Sequence, residues 1–235
     1  MGKNDPNLPA KSTSGEVEAF LRQVNAMPVL QSAAARGRLI FAMDATASRE
    51  PAWDNACRIQ GEMFAQTETL GGLDIQLVHY GGFGEFDATG WLADSASLIG
   101  RMAEVRCRGG QTQIASVLRH SLAETRRKRV NALVFVGDCM EEGEDEIVAL
   151  AGELGLLGVP AFMFQEGGDP LAARTFQAVA KLTRGAYCHF DAGSAKQLRD
   201  LLAAVAVFAA GGRRALTDFS RSRGGPVPLI ARQIG

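Results

Sequence analysis

The sequence predicts an α/β protein: a doubly wound, mostly parallel six-stranded sheet with one antiparallel edge strand and helices on both faces. Three observations carry this reading. Short unbroken apolar runs, such as Leu39-Ile40-Phe41-Ala42-Met43 and Ala132 to Val136, suit strands buried on both faces, as in a parallel sheet sandwiched by helices. These runs alternate with longer stretches whose apolar positions recur at helical spacing. Glycine is in excess, 27 of 235 residues against a usual ~7%. Much of it falls at helix ends and strand exits, where this architecture needs it.

Taken in order, residues 1–15 read as a polar, flexible leader. Glu16 to Ala26 sets Val17, Phe20, Leu21 and Val24 at helical spacing and stops before Pro28. The first strand is Leu39 to Met43. Trp53 to Thr67 follows as a helix, with Ala56, Ile59, Met63 and Phe64 on its apolar face. Asp74 to Tyr80 is a strand, Gly81-Gly82-Phe83-Gly84 a tight turn, and Phe86 to Leu92 a short edge strand. Ser95 to Val105 is a helix, and Gly109-Gly110 breaks the chain before another from Thr112 to about Lys128. Ala132 to Val136 is the fourth strand, and Glu144 to Leu157 a helix closed by Gly158. Val159 to Phe164, a helix over Pro170 to Leu182, and Ala186 to Phe190 come next. The last helix, Ala195 to Ala210, is closed by Gly211-Gly212. The chain thus divides into a leader and N-terminal helix (1–37), one α/β domain (38–212), and a basic tail (213–235) containing Gly224-Gly225 and two prolines.

The bulk numbers exclude several classes. Hydrophobic residues are 46% and charged residues 22% of the chain, which is globular composition rather than disorder. A net charge of −1 gives no global attraction to nucleic acid or to a membrane surface. The cysteines, Cys57, Cys107, Cys139 and Cys188, lie far apart with no CxxC pair. That argues against a disulfide framework or a zinc site and for reduced thiols. The N-terminus lacks the apolar core of a signal peptide. The longest apolar run, Leu201 to Ala210, is about half of the ~20 residues a membrane span needs. A soluble, cytoplasmic protein is expected.

In open parallel sheets, ligands bind beyond the carboxyl ends of the strands. Asp44-Ala45-Thr46-Ala47-Ser48 leaves the first strand, Thr112 follows the glycines that open a helix, and Asp138 leaves the fourth strand. Alternate positions 44, 46 and 48 of a strand-exit loop can turn toward one point. Together these residues make an all-oxygen cluster of two carboxylates and three hydroxyls. Hard divalent cations such as Mg²⁺ prefer such a set. Capping explains each residue singly, since Asp, Ser and Thr are favoured at helix starts. Their joint placement at three strand-order positions is what capping does not explain.

Asp44-Ala45-Thr46-Ala47-Ser48 resembles the D-x-S-x-S motif of von Willebrand factor type A domains, the metal-ion-dependent adhesion site. Thr112 matches the family's threonine and Asp138 its second aspartate. The resemblance covers roughly residues 38 to 210. It implies a Rossmann-like doubly wound fold that binds Mg²⁺ or Mn²⁺ through Asp44, Thr46, Ser48, Thr112 and Asp138. In that family the hydroxyls usually touch the metal directly, the aspartates often act through water, and a partner's Glu or Asp commonly completes the shell. Two departures stand out: Thr46 replaces a serine, and Val136-Gly137-Asp138-Cys139 replaces the usual T-D-G. Neither removes an oxygen ligand.

Other features take plainer readings. Glu141, Glu142, Glu144, Asp145 and Glu146 suit a solvated helix start or an acidic rim beside the metal. Arg126-Arg127-Lys128-Arg129 suits a helix C-terminus. Cys139 reads as a buried strand-end cysteine rather than a nucleophile. His79, His120 and His189 have no metal-ligand spacing. Val227 to Ala231 forms an apolar patch in the tail, read as disorder, as packing on its own domain, or as a docking strand. The expected function is non-enzymatic: a metal-dependent module that captures a partner's acidic side chain. A metal-assisted hydrolase using the same oxygens, and a degenerate domain acting as scaffold, are the alternatives.

Overall fold

Eight consecutive residues, Gly37–Asp44, form strand β1, and every one of them is buried. A strand with no wet residue must be central and covered on both faces. β1 pairs in parallel with β2 (Leu73–Gly81) on one side and β4 (Ala132–Gly137) on the other. β3 (Glu85–Ala88) is antiparallel to β2, and β5 (Ala161–Glu166) and β6 (Ala186–Phe190) extend the sheet in parallel beyond β4. The order is β3-β2-β1-β4-β5-β6, the expected six strands with one antiparallel edge. The computed structural model describes residues 36–47, 72–190 and 195–222. The helices expected over 16–26 and 53–67, Ser48, and the apolar patch at 227–231 lie outside the described residues.

Side-chain alternation along the strands sorts the core into two layers. Leu39, Phe41 and Met43 face one cluster, with α1 (Ser95–Glu104) and α5 (Ala195–Ser222) over it. Ile40 and Ala42 face the other, under α2 (Ile114–Arg127), α3 (Glu144–Leu156) and α4 (Pro170–Leu182). Asp44 continues the parity of Ile40 and Ala42, so its side chain falls on the α2–α3 face. No helix among the described residues is long and apolar enough to cross a membrane.

Several boundaries differ from expectation by a residue or more, and four of them have a local reason. β3 stops at Ala88 because the Thr89 hydroxyl, not a main-chain carbonyl, accepts from Leu77 N–H (3.1 Å). Pairing resumes only as a bridge between Ile75 and Leu92. β5 starts two residues late, after Pro160, which has no N–H for a ladder, and runs on to Glu166 opposite Phe190. α2 begins at Ile114 with Gln113 as its N-cap, so Thr112 does not cap it. Gly212 does interrupt the last helix, with a left-handed φ of 67° that glycine adopts at little cost. The chain then turns helical again to Ser222, and Leu216 is fully buried in the first core cluster.

At the end of the sheet where the parallel strands begin, Arg38 is a buried cation. Its guanidinium lies 3.7 Å from the Trp91 ring centroid and 3.2 Å from Glu124 Oε2. It also donates to the Lys128 carbonyl, and Trp91 Nε1–H donates to Glu124 (2.9 Å). The basic run at the end of α2 is structural: Arg126 pairs with Glu153, and Arg127 with Glu124. Burial pushes the Glu124 pKa up, but the Trp91 N–H and the charges of His120 and Arg127 outweigh it, leaving the pKa below its usual 4.5. A depressed acid pKa contributes stability above the unfolded value that is lost as pH falls through the folded one. Stability should therefore drop below about pH 4.5, and Glu124→Gln should weaken that dependence. Glu124→Ala leaves Arg38 buried and unpaired, so chemical denaturation should register a loss of about 3–5 kcal/mol, more than for Glu124→Gln.

Candidate metal centre

The sheet order reverses between β1 and β4. From β1 the chain crosses to β2 on one side, and the later strands build outward on the other. In open α/β sheets such a reversal, at the strands' carboxyl ends, is where ligands bind. Met43 pairs with Val136, so Asp44 leaves β1 level with Gly137 and one residue from Asp138. Carboxylate oxygens of Asp44 and Asp138 and the Cys139 sulfur all lie within 4.8 Å of one another. The structure thus brings together the two expected aspartates and adds a thiol.

The loop after β1 is held by its own first residue. Thr46 N–H donates to Asp44 Oδ1 at 2.7 Å, an Asx-type turn in which Asp44 is fully buried and Thr46 nearly so. Ala45 N–H donates to the Tyr80 carbonyl (2.8 Å), and the Ala45 carbonyl accepts from Arg108 N–H (2.9 Å). The second loop, 105–113, is thereby fastened to the first. It also lies against the β2–β3 turn, where Gln111 N–H donates to the Gly82 carbonyl (3.3 Å). A Cβ on Gly110 would stand 1.8 Å from that carbonyl oxygen, whereas one on Gly109 would meet nothing within 4 Å. Of the two glycines expected to let Thr112 approach, Gly110 is the one the geometry requires.

Thr112 is buried and reaches the third loop rather than capping its helix. Its hydroxyl accepts from Glu141 N–H (3.0 Å), and its own N–H donates to Glu141 Oε2 (3.3 Å). The next residue, Glu142, places its carboxylate on the N–H groups of Ile114 and Ala115, the latter at 2.9 Å. It thereby caps α2 from another segment, where a carboxylate also meets the positive end of the helix dipole. Further along the acidic run, Glu144 pairs with Arg174 and Glu146 with Arg119. These acids open α3 at the solvated surface as expected, and several of them also cross-link loops and helices.

Two residues at the centre carried no site signal in the sequence beyond their neighbours. Cys139 is half-buried, and burial followed by the Asp138 carboxylate pushes its thiol up to about 12. A thiol so protonated is no resting nucleophile. Tyr80 is directly opposite Asp44 in the β1–β2 register and fully buried, stacked on Phe135 at 6.3 Å. Burial and the nearby Asp44, Glu142, Cys139 and Asp138 raise its pKa well above the usual range. Its hydroxyl has no hydrogen-bond partner. No histidine joins the cluster among the described residues: His79 faces Asp87, His120 faces Gln76, and His189 meets the Gly167 carbonyl.

The donor set fits a divalent cation. Two carboxylates this close, one of them fully buried, repel each other, and a cation between them relieves that repulsion. Asp44, Asp138 and the hydroxyls of Thr46 and Thr112, with Ser48 in the next stretch of chain, are the residues that would hold it.

No protein-family model matches the sequence, and no curated protein matches it. Solved structures do. The chain is similar to the VWA domain of SpRpn10, with a TM-score of 0.58, 11% identity, and coverage of 73% of this chain and 95% of that one. It is similar to proximal thread matrix protein 1 from the mussel byssus, solved with a zinc-occupied MIDAS motif. There the TM-score is 0.57, identity is 15%, and coverage is 76% of this chain and 48% of that one. An aerotolerance-related membrane protein from Bacteroides fragilis gives a TM-score of 0.55 at 16% identity, covering 71% and 96%. At such identities the likeness is one of fold: this chain has the von Willebrand factor type A fold.

Two outcomes follow from this geometry. Gly110→Ala should lower the denaturation midpoint clearly, by about 1–3 kcal/mol of overpacking, while Gly109→Ala should leave it nearly unchanged. Tyr80→Phe removes a buried hydroxyl that lacks a partner, so the metal-free protein should be unchanged or more stable by about 1 kcal/mol. Thermal melts in EDTA would measure both.

Proposed function

We propose that this chain is a protein-binding module whose Asp44, Thr46, Ser48, Thr112 and Asp138 hold a divalent cation, Mg²⁺ or Mn²⁺, at which a partner's Asp or Glu side chain docks. The convergence of Asp44 and Asp138 within 4.8 Å at the point where the sheet order reverses is the observation that carries this reading. When bound, such a cation supplies positive charge and a free coordination position for one more anionic oxygen.

The chain's own residues set the terms of that docking. Asp44 and Asp138 bring two negative charges that balance the cation's. The hydroxyls add no charge, so the bound cation keeps its attraction for an external carboxylate. The side chains of Asp44, which accepts from Thr46 N–H, and of Thr112, which accepts from Glu141 N–H, are held by main-chain hydrogen bonds. Little side-chain entropy then remains to be lost on binding. Phe83, 83% exposed at the tip of the β2–β3 turn, adjoins the 105–113 loop and offers an apolar contact beside the docking point. The zinc-occupied MIDAS of the mussel protein supports a divalent cation at this position of the fold.

A hydrolase built on the same oxygens needs a general base beside the cation. Glu141 and Glu142, the acids that follow Asp138, already accept main-chain N–H groups, which favours binding over turnover.

Titration calorimetry should detect Mg²⁺ or Mn²⁺ binding, and Asp44→Ala should weaken it by roughly 100-fold or more, since losing even an outer-shell partner costs about 10–100-fold. A pull-down from native lysate in Mg²⁺ against EDTA should retain a protein only with metal, and Asp44→Ala should release it. Retention by Asp44→Ala equal to that of the parent would sink the mechanism. Robust Mg²⁺-dependent turnover of generic phosphatase or esterase substrates, lost in Asp44→Ala, would favour the hydrolase.

A further inference from the structure

We infer that Cys139 is itself a metal ligand, so that the site takes a thiophilic cation, Zn²⁺ or Co²⁺, in preference to Mg²⁺. The inference rests on the metal-binding reading above and deepens it by naming the donor that selects the ion. The family pattern that Asp138 matches continues with glycine, which has no donor. Here a cysteine stands in that place, and its sulfur lies within 4.8 Å of oxygens from both aspartates. Donor atoms around one tetrahedral cation with bonds of about 2.0 to 2.3 Å stand roughly 3.3 to 3.8 Å apart, so only a small inward movement within that 4.8 Å limit is needed to close on the ion.

The Tyr80 hydroxyl is the independent sign that something polar belongs there. It is fully buried, has no hydrogen-bond partner, and lies among Asp44, Asp138, Cys139 and Glu142. Leaving a buried hydroxyl unsatisfied is costly. A water or carboxylate oxygen completing the cation's shell would accept a hydrogen bond from it. Tyr80 is thus a positioning residue for the fourth ligand, while Asp44, Asp138 and Cys139 supply three and the Thr46, Ser48 and Thr112 hydroxyls stand outside the four-coordinate shell.

The chemistry of the donors then decides the ion. Mg²⁺ demands oxygen and gains nothing from sulfur, whereas Zn²⁺ and Co²⁺ accept mixed oxygen and thiolate sets. Three protein ligands with one position open is also the arrangement Zn²⁺ keeps where it meets an exchangeable ligand. On ligation the sulfur forms its bond to the cation and the thiol proton passes to solvent. Cys139 is half-buried at a strand exit, so the cation enters from the same side as the partner.

The test is to load the whole chain with Co²⁺ alone and record its absorption, then measure Zn²⁺ and Mg²⁺ affinities by calorimetry. Parent, Cys139→Ser, Cys139→Ala and Asp44→Ala are compared, with far-ultraviolet circular dichroism in EDTA showing that each is folded. The parent should show a near-ultraviolet thiolate-to-cobalt charge-transfer band, absent from both Cys139 variants and from Asp44→Ala. Zn²⁺ affinity should fall by roughly tenfold or more in Cys139→Ser, with Mg²⁺ affinity nearly unchanged. Metal binding without the band, with equal Zn²⁺ affinity in Cys139→Ser, would overturn the inference and leave the oxygen-only site standing. A band that survives in Asp44→Ala would also overturn it, because the thiolate would then be binding elsewhere. If neither Mg²⁺, Mn²⁺, Zn²⁺ nor Co²⁺ binds the parent, this inference and the proposed function both fall.

Discussion

The parallel register of β1 between β2 and β4 is the constraint on which the rest of the molecule depends. Pairing Asp44 with Tyr80 and Met43 with Val136 settles which side chains meet at the carboxyl end of the sheet. Strand alternation then puts Asp44 and Tyr80 on the same face as Ile40, Ala42 and Val78. A slip of one residue would turn Asp44 toward the α1–α5 cluster and bury its charge in hydrocarbon. The register is protected by burial, since every residue of β1 is enclosed on both faces. The same packing that stabilises the fold thus aims the carboxylate.

Around that fixed strand the three loops are fastened to one another rather than to solvent. Ala45 binds the 105–113 loop through Arg108, that loop lies on the β2–β3 turn through Gly82, and Thr112 grips Glu141 on the loop after β4. Glu142 then caps α2 from outside. Glu141 and Glu142 thus join the loop after β4 to the start of α2 and to α3. The ion pairs Glu144–Arg174 and Glu146–Arg119 link α3 to its neighbours. They are exposed pairs, each contributing little on its own, and their effect is more on orientation than on stability.

The opposite end of the sheet is built on different physics. There a buried Arg38 is neutralised by Glu124 and covered by Trp91. Such a pair stabilises little compared with an apolar replacement, yet breaking it is costly. One end holds its charge with a complete set of partners. The other gathers two carboxylates, a thiol and a phenol around one point. The metal-binding proposal builds on that second gathering of side chains.

Much was legible in the sequence alone. Unbroken apolar runs specify two-faced burial wherever they occur, so the strands, the parallel sheet and its antiparallel edge could be read from them. The convergence of Asp44 and Asp138 was legible because strand exits are where open sheets bind ligands, and the two residues share one chemistry. The sequence also showed that Gly109-Gly110 precedes Thr112, but not that only Gly110 faces a carbonyl. What it could not supply were relations between residues distant in the chain. Tyr80 opposite Asp44, Glu142 at the head of α2 and Leu216 beneath the sheet depend on register and packing, which no local pattern encodes. Cys139 read as an ordinary strand-end cysteine because its meaning lies in the distance from its sulfur to Asp44, ninety-five positions earlier in the chain. Local propensity and hydrophobic period determined the elements, and tertiary structure decided which of their side chains share a site.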